Sequence, residues 1–126
     1  MKISASEFRK KYTGEGEKGR ANALTKAIIE WVNYNGGWCW RNNNHAVYDK
    51  KIGTYRKNPN QMNGVSDILG LWDGKFLAIE VKAGSDRLSD DQKIFLERVR
   101  EAGGYGIEAR SVDDVINYFT PLNANQ

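Results

Sequence analysis

The residues best placed to do chemistry in this sequence are Asp67, Glu80 and Lys82, all within the segment GVSDILGLWDGKFLAIEVKAG. Two apolar, strand-like runs there flank Asp73-Gly74, a dipeptide that suits a two-residue type I′ hairpin turn because both central residues need positive φ. That turn sets Trp72 opposite Lys75, Leu69 opposite Ala78 and Asp67 opposite Glu80. Directly opposed Cβ atoms lie roughly 4.5–5.5 Å apart, and like charges so placed destabilise a sheet unless something positive lies between them. The pair therefore calls for a cation. Side chains alternate along a strand, so Glu80 and Lys82 share a face while Leu77, Ile79 and Val81 enter the opposite, apolar layer.

A lone Glu-x-Lys on a strand is ordinary polar and apolar alternation. Here both residues lie between apolar neighbours, a carboxylate falls opposite Glu80, and Gly64 precedes Asp67 where close backbone approach is useful. Two carboxylates with a backbone carbonyl and waters make a hard oxygen cage suited to Mg²⁺ or Mn²⁺, with positions left for a phosphate. A metal held there would polarise a phosphate oxygen and lower the pKa of bound water, and Lys82 would orient that nucleophile or offset charge on the phosphorus oxygens. This is equipment for phosphodiester hydrolysis.

Several elements must position these groups. Leu24, Ala27, Ile28, Trp31 and Val32 follow a 3.6-residue period that predicts an amphipathic helix over 21–34, with Gly36-Gly37 as its stop. Before it, Ser4 and Glu7 suggest a capping box for a short helix to about Tyr12, which Gly14, Gly16 and Gly19 then break up. Short strands are expected at 38–41 and 46–48 around an Asn42-Asn43-Asn44 turn, and 50–66 reads as a polar loop. After the hairpin, Ser89 opens a helix to about Ala102. Tyr105–Ala109 reads as a strand, Ser111 caps a final short helix, and Pro121 closes it. The order predicts an α/β sandwich around a mixed sheet flanked by helices.

With 126 residues, 40% hydrophobic and 28% charged, the composition is that of one globular domain. No apolar run approaches the roughly 20 residues of a membrane span and none follows Met1-Lys2 as a signal peptide would, so the expected location is intracellular, cytoplasmic or nucleoid-associated, with no membrane partner. Cys39 and His45 are single, which excludes a disulfide framework, a Cys/His zinc site and a multi-histidine centre. Any metal must be held by oxygen. Residues 1–57 hold 12 Lys/Arg against 5 Asp/Glu, and residues 58–126 hold 7 against 11, so the first half invites a polyanion.

GVSDILG, then IEVK with its Glu thirteen residues after that Asp, then RLSDDQ and a helix resemble the VRR-Nuc branch of the PD-(D/E)XK nuclease superfamily. The resemblance covers about residues 20–118, from ANALTKAIIEW to AGGYGIEARSVDDV. It implies a restriction-endonuclease-like αβββαβ core, divalent-metal-dependent cleavage of DNA, branched, junction or flap DNA as substrate, and a homodimer. It divides the chain into an N-terminal arm (1–20), a nuclease domain (21–120) and a tail (121–126). Asp67, Glu80 and the Val81 carbonyl would be metal ligands, Lys82 the catalytic lysine and Gln92 a further catalytic residue on the following helix. Many members carry a Glu in the first core helix where this sequence places Ala21 or Asn22, which bears on whether a second metal is held. Asn22 would touch a metal water or a phosphate, or simply cap the helix.

Gln92 has an equally sufficient structural reading, because Ser89 with Gln three residues later is a capping box. Arg41, Lys57 and Arg87 are candidate phosphate contacts. Trp38 and Trp40 could stack on bases, with one of the two expected in the core. So small a domain has no evident base-reading helix or zinc module, which favours selection of DNA by structure. The alternative is a non-catalytic DNA-binding or assembly protein on the same fold.

Overall fold

The structure is a computed structural model that describes residues 16–42, 47–56 and 62–120. The expected helix at 4–12, Asn43, Asn44, Lys57 and the tail from Pro121 lie outside the described residues.

Helix α1 spans Gly16–Tyr34 and lays Ala27, Ile28, Trp31 and Val32 into the core, each 5% exposed or less. It begins five residues before the expected Ala21, and Gly16 and Gly19, read as breakers, stand in its opening turn. A glycine costs a helix interior roughly 1 kcal/mol. Tertiary packing of the apolar stripe supplies most of a helix's stability and outweighs that cost here. Asn22 is therefore the seventh helical residue rather than an N-cap.

Strands β1 (Trp38–Arg41), β4 (Ile68–Trp72), β5 (Lys75–Val81) and β6 (Tyr105–Ala109) form one sheet in the order β1-β4-β5-β6. The first three run antiparallel and β6 runs parallel to β5, joined to it through helix α2 (Asp90–Glu101). Strands β2 (Val47–Asp49) and β3 (Thr54–Arg56) make a separate two-stranded sheet between β1 and β4 in sequence. The polar composition of 50–66 predicts a loop throughout, whereas Thr54–Arg56 is a strand. Strand β3 is held by a cross-strand pair, Tyr48 opposite Tyr55 with rings edge-on at 5.3 Å, and three residues are too few to show alternation. Without this insertion the order is αβββαβ, followed by α3 (Val112–Phe119): the α/β, restriction-endonuclease-like mixed sheet flanked by helices.

The sheet's two faces are unequal. Helices α1 and α3 cover one, over Cys39, Ile68, Leu77, Ile79, Val81 and Ile107, and Trp31, Trp72 and Phe119 stack at its margin. Helix α2 alone covers part of the other, through Leu96 and Val99 on Ala78. Burial of each such aliphatic side chain contributes about 1.5–3 kcal/mol, so the first face holds most of the fold's stability. Among the described residues no helix is long and apolar enough to cross a membrane.

Two backbone features set the geometry of the hairpin end. Asp73 (φ 52°) and Gly74 (φ 75°) make the two-residue turn, and the ladder runs from Trp72 opposite Lys75 to Ile68 opposite Ile79. Asp67 and Glu80 are the next pair, where the ladder stops. Gly64 (φ 77°) brings the preceding loop against the first turn of α2, where an added Cβ would lie 2.3 Å from the Asp91 carbonyl oxygen. Gly64→Ala should therefore destabilise the protein by more than about 1 kcal/mol, from the positive φ and the backbone collision together. Urea denaturation measures it, and an unchanged midpoint would show that loop and helix are not in fixed contact.

Candidate active site

Glu80 is 2% exposed on the α2 side of the sheet, one alternation beyond Ala78. Asp67 is held by its Oδ2, which accepts a hydrogen bond from the Val81 N–H at 3.0 Å across the parting strands. Lys82 stays anchored past the end of β5, its N–H donating to the Ala109 carbonyl at 3.0 Å. Its Nζ lies 3.9 Å from Glu80 Oε1 and 3.7 Å from Asp86. Turn, register and alternation thus bring Asp67, Glu80 and Lys82 together, as expected.

Burial pushes the Glu80 carboxyl up to about 8, and the neighbouring Asp67 carboxylate adds to the rise, against the pull of Lys82 and of the Asp67 backbone. Glu80 Oε1 has partners, whereas Oε2 is buried with no hydrogen-bond partner. A buried, unpartnered carboxylate oxygen beside a second carboxylate fits a hard divalent cation, which would supply the missing charge. Among the described residues no group of three or more His, Cys, Asp or Glu side chains could hold a metal ion, so further ligands would be backbone or water oxygens.

Gln92 caps helix α2 and also reaches the carboxylate pair. At the third position of α2 it completes the capping box: its N–H donates to Ser89 Oγ at 3.2 Å, and its Oε1 accepts from the Ser89 N–H at 2.9 Å. The cap thereby fixes the amide orientation. Nε2 must face the other way, and it donates to Glu80 Oε1 at 3.0 Å. Helix α2 consequently holds the carboxylate from above while β5 supplies it from below.

The other candidates divide by position. Asn22 and Arg41 line a cleft of about 250 Å³ with Ala21, Thr25, Asp67 and Val81, and Arg41 Nη2 donates to Asn22 Oδ1 at 3.3 Å. Arg87 is exposed in a second cleft of about 500 Å³ with Lys93, Arg110 and Glu108, the β6 residue opposite Glu80. Neither Trp38 nor Trp40 is core: they are 63% and 43% exposed, which corrects the expectation that one would be buried. The core residue of β1 is Cys39 between them, whose thiol burial pushes up to about 12. Sequence reasoning missed Arg110, which ties the loop after β5 by donating to the Gly84 and Asp86 carbonyls at 3.1 and 2.5 Å. It also missed Ser66, whose buried Oγ lacks a partner next to Asp67 in the chain. Nothing in their local sequence signals either role.

A mixed sheet of this topology, with two carboxylates and a lysine gathered where its central hairpin parts, places the protein in the restriction-endonuclease-like α/β class. The VRR-NUC domain matches residues 20–113, from the opening turns of α1 through all four strands of the main sheet to the start of α3. The chain belongs to this nuclease family. No curated protein and no solved structure gives a significant match.

The raised Glu80 value fixes a pH dependence. Between 4.5, the ordinary value, and about 8 the folded metal-free protein keeps a proton that the unfolded chain has released. Stability contributed by this group is full below that window and is lost as pH rises through it, at up to about 1.4 kcal/mol per pH unit. Glu80→Gln should remove the slope and leave the protein more stable than wild type at pH 8. Denaturation in EDTA at several pH values tests this, and a flat wild-type profile would mean that Glu80 is already ionised.

Proposed function

We propose that the protein is a divalent-metal-dependent DNA endonuclease selective for branched, junction or flap DNA. The observation that carries this reading is the buried, unpartnered Oε2 of Glu80 beside Asp67. Asp67, Glu80 and the Val81 carbonyl would hold Mg²⁺ or Mn²⁺, which supplies charge to a phosphate oxygen and lowers the pKa of water. Lys82 orients the attacking water and offsets charge developing on the phosphorus oxygens. Gln92 keeps Oε1 of Glu80 occupied, so that Oε2 is the oxygen left to face the ligand. Arg41, with Asn22, receives a phosphate in the cleft beside Asp67, and Arg87 and Lys57 serve outlying phosphates.

Helix α1 offers Ala21 and Asn22 to that cleft rather than an acid, so one cation per chain is expected. A basic first half with no base-reading helix evident among the described residues suits recognition of DNA shape, and a homodimer would present two sites to the arms of a branch. The shortage of acidic ligands also favours a second reading, a DNA-binding or assembly protein without turnover. The two differ in one assay.

Four-way junction, flap, duplex and single-stranded DNA should be offered with Mg²⁺, Mn²⁺ or Ca²⁺. Cleavage should require metal, favour branched forms and vanish in Asp67→Ala and Glu80→Ala while DNA affinity persists. Metal-independent binding with no cleavage of any form would establish the second reading. Titration calorimetry with Mn²⁺ should give one site per chain, lost in both variants.

Gln92→Ala separates the cap from the carboxylate contact. Losing the cap should cost about 1 kcal/mol or less in denaturation. Losing the hold on Glu80 should slow single-turnover cleavage roughly tenfold or more. A wild-type rate in folded Gln92→Ala would reduce the residue to a helix cap.

A further inference from the structure

Strand register carries the site's face toward β1. On the α2 side of the sheet, successive rows across β1, β4 and β5 read Trp38–Leu71–Phe76 and then Trp40–Leu69–Ala78. The Asn42 N–H donates to the Asp67 carbonyl at 2.7 Å, continuing the β1–β4 pairing, so the following row is Asn42–Asp67–Glu80. The two exposed indoles therefore stand one and two rows from the carboxylate pair, on the face from which Gln92 reaches Glu80. Rows two residues apart are about 6.8 Å apart.

The indoles are disposed as open platforms. Their centroids lie 5.0 Å apart with planes tilted by 57°, so each edge touches its neighbour and broad ring surface remains exposed. The core pair Trp31 and Trp72 is instead stacked at 7°. On β1 the edge is closed to an added strand at Cys39, whose N–H and carbonyl both pair with the Asn33 side chain, at 2.8 and 3.3 Å. The strand also belongs to the basic half of the chain.

We propose that Trp40 and Trp38 form a stacking subsite for unpaired nucleotide bases, one and two rows along the sheet from the carboxylate pair. This rests on the nuclease reading and deepens it, since it names the feature of branched DNA that is recognised. Bases inside a duplex are stacked at about 3.4 Å, closer than the 5.0 Å between the two indole centroids, and present no free face. Only an unpaired, splayed strand can lay successive bases on rings one row apart, and aromatic stacking accepts any base. Selection of branched DNA then follows from the single-stranded nucleotides a branch exposes, without base-specific contacts.

The test uses the full chain in EDTA with a flap DNA carrying 2-aminopurine in the unpaired arm beside the branch, and a matched duplex. Binding of the flap should quench the emission of the exposed tryptophans and of the 2-aminopurine. Trp40→Ala should weaken the flap complex about tenfold more than the duplex complex, Trp38→Ala somewhat less, and Trp40→Phe should keep most of the preference. Equal losses on both DNAs, or no quenching, would overturn the proposal. So would a Trp40→Ala chain that sediments as monomer where wild type is a dimer with both DNAs equally weakened, because the face would then belong to a second copy. Absence of cleavage by wild type in Mg²⁺ or Mn²⁺ would overturn the nuclease reading alone, and the quenching and the affinity ratio would still decide the subsite.

Discussion

The site depends on one unfavourable interaction, a glutamate carboxyl buried beside an aspartate carboxylate where β4 and β5 part. Nothing in folding rewards that placement. Burial and the like charge both raise the Glu80 pKa, against the opposing pull of Lys82 and of the Asp67 backbone. Such a pair persists when the surrounding structure over-determines it, and that condition is met here. The β4–β5 ladder fixes the register, the Val81 N–H fixes Asp67, and Gln92 fixes one oxygen of Glu80. A small domain can accept this local cost because its stability lies on the other face of the sheet, in the layer under α1 and α3.

Helix α2 links folding to the site. Its N-terminus is closed by a capping box, a device of purely local stability, yet the same Gln92 amide reaches Glu80. Gly64 lets the loop before Asp67 touch the first turn of this helix, so the chain entering one carboxylate is braced against the helix that holds the other. The site is thus triangulated from the turn, the ladder and the helix start. A shift in any one would be felt as a change of spacing between two carboxylates, to which charge repulsion is sensitive.

What the sequence made legible was whatever depends on short-range periodicity and turn chemistry. Asp73-Gly74 dictated the turn, the turn dictated the register, and the register put Asp67 against Glu80. The amphipathic period gave the body of α1, although not its start, because whether a helix continues through Gly19 and Gly16 is decided by packing outside that window. The short strand β3 was hidden for a related reason, being held by a tyrosine pair rather than by alternation. Gln92 remained ambiguous between two roles because the distance from α2 to β5 is a tertiary quantity. Trp38 and Trp40 were misjudged in part since hydrophobicity alone favours burial, whereas alternation about the buried Cys39 turns both to the face that α2 leaves open.

Strand alternation also explains how site and core can occupy the same few residues. In β5, Leu77, Ile79 and Val81 enter the main core while Ala78 and Glu80 face α2, with Lys82 just beyond. Each peptide unit therefore serves both layers, and the rigidity of the packed face is passed to the other through the backbone itself. Side chains on the α2 face can be changed without opening a cavity in the core, but they cannot be moved, because a one-residue slip would exchange the two faces entirely. That constraint holds the carboxylate row and the indole rows in fixed order along the sheet. If unpaired bases bind on the indoles, their distance from the carboxylates is set by strand pitch, and cleavage should occur at a fixed offset from a branch.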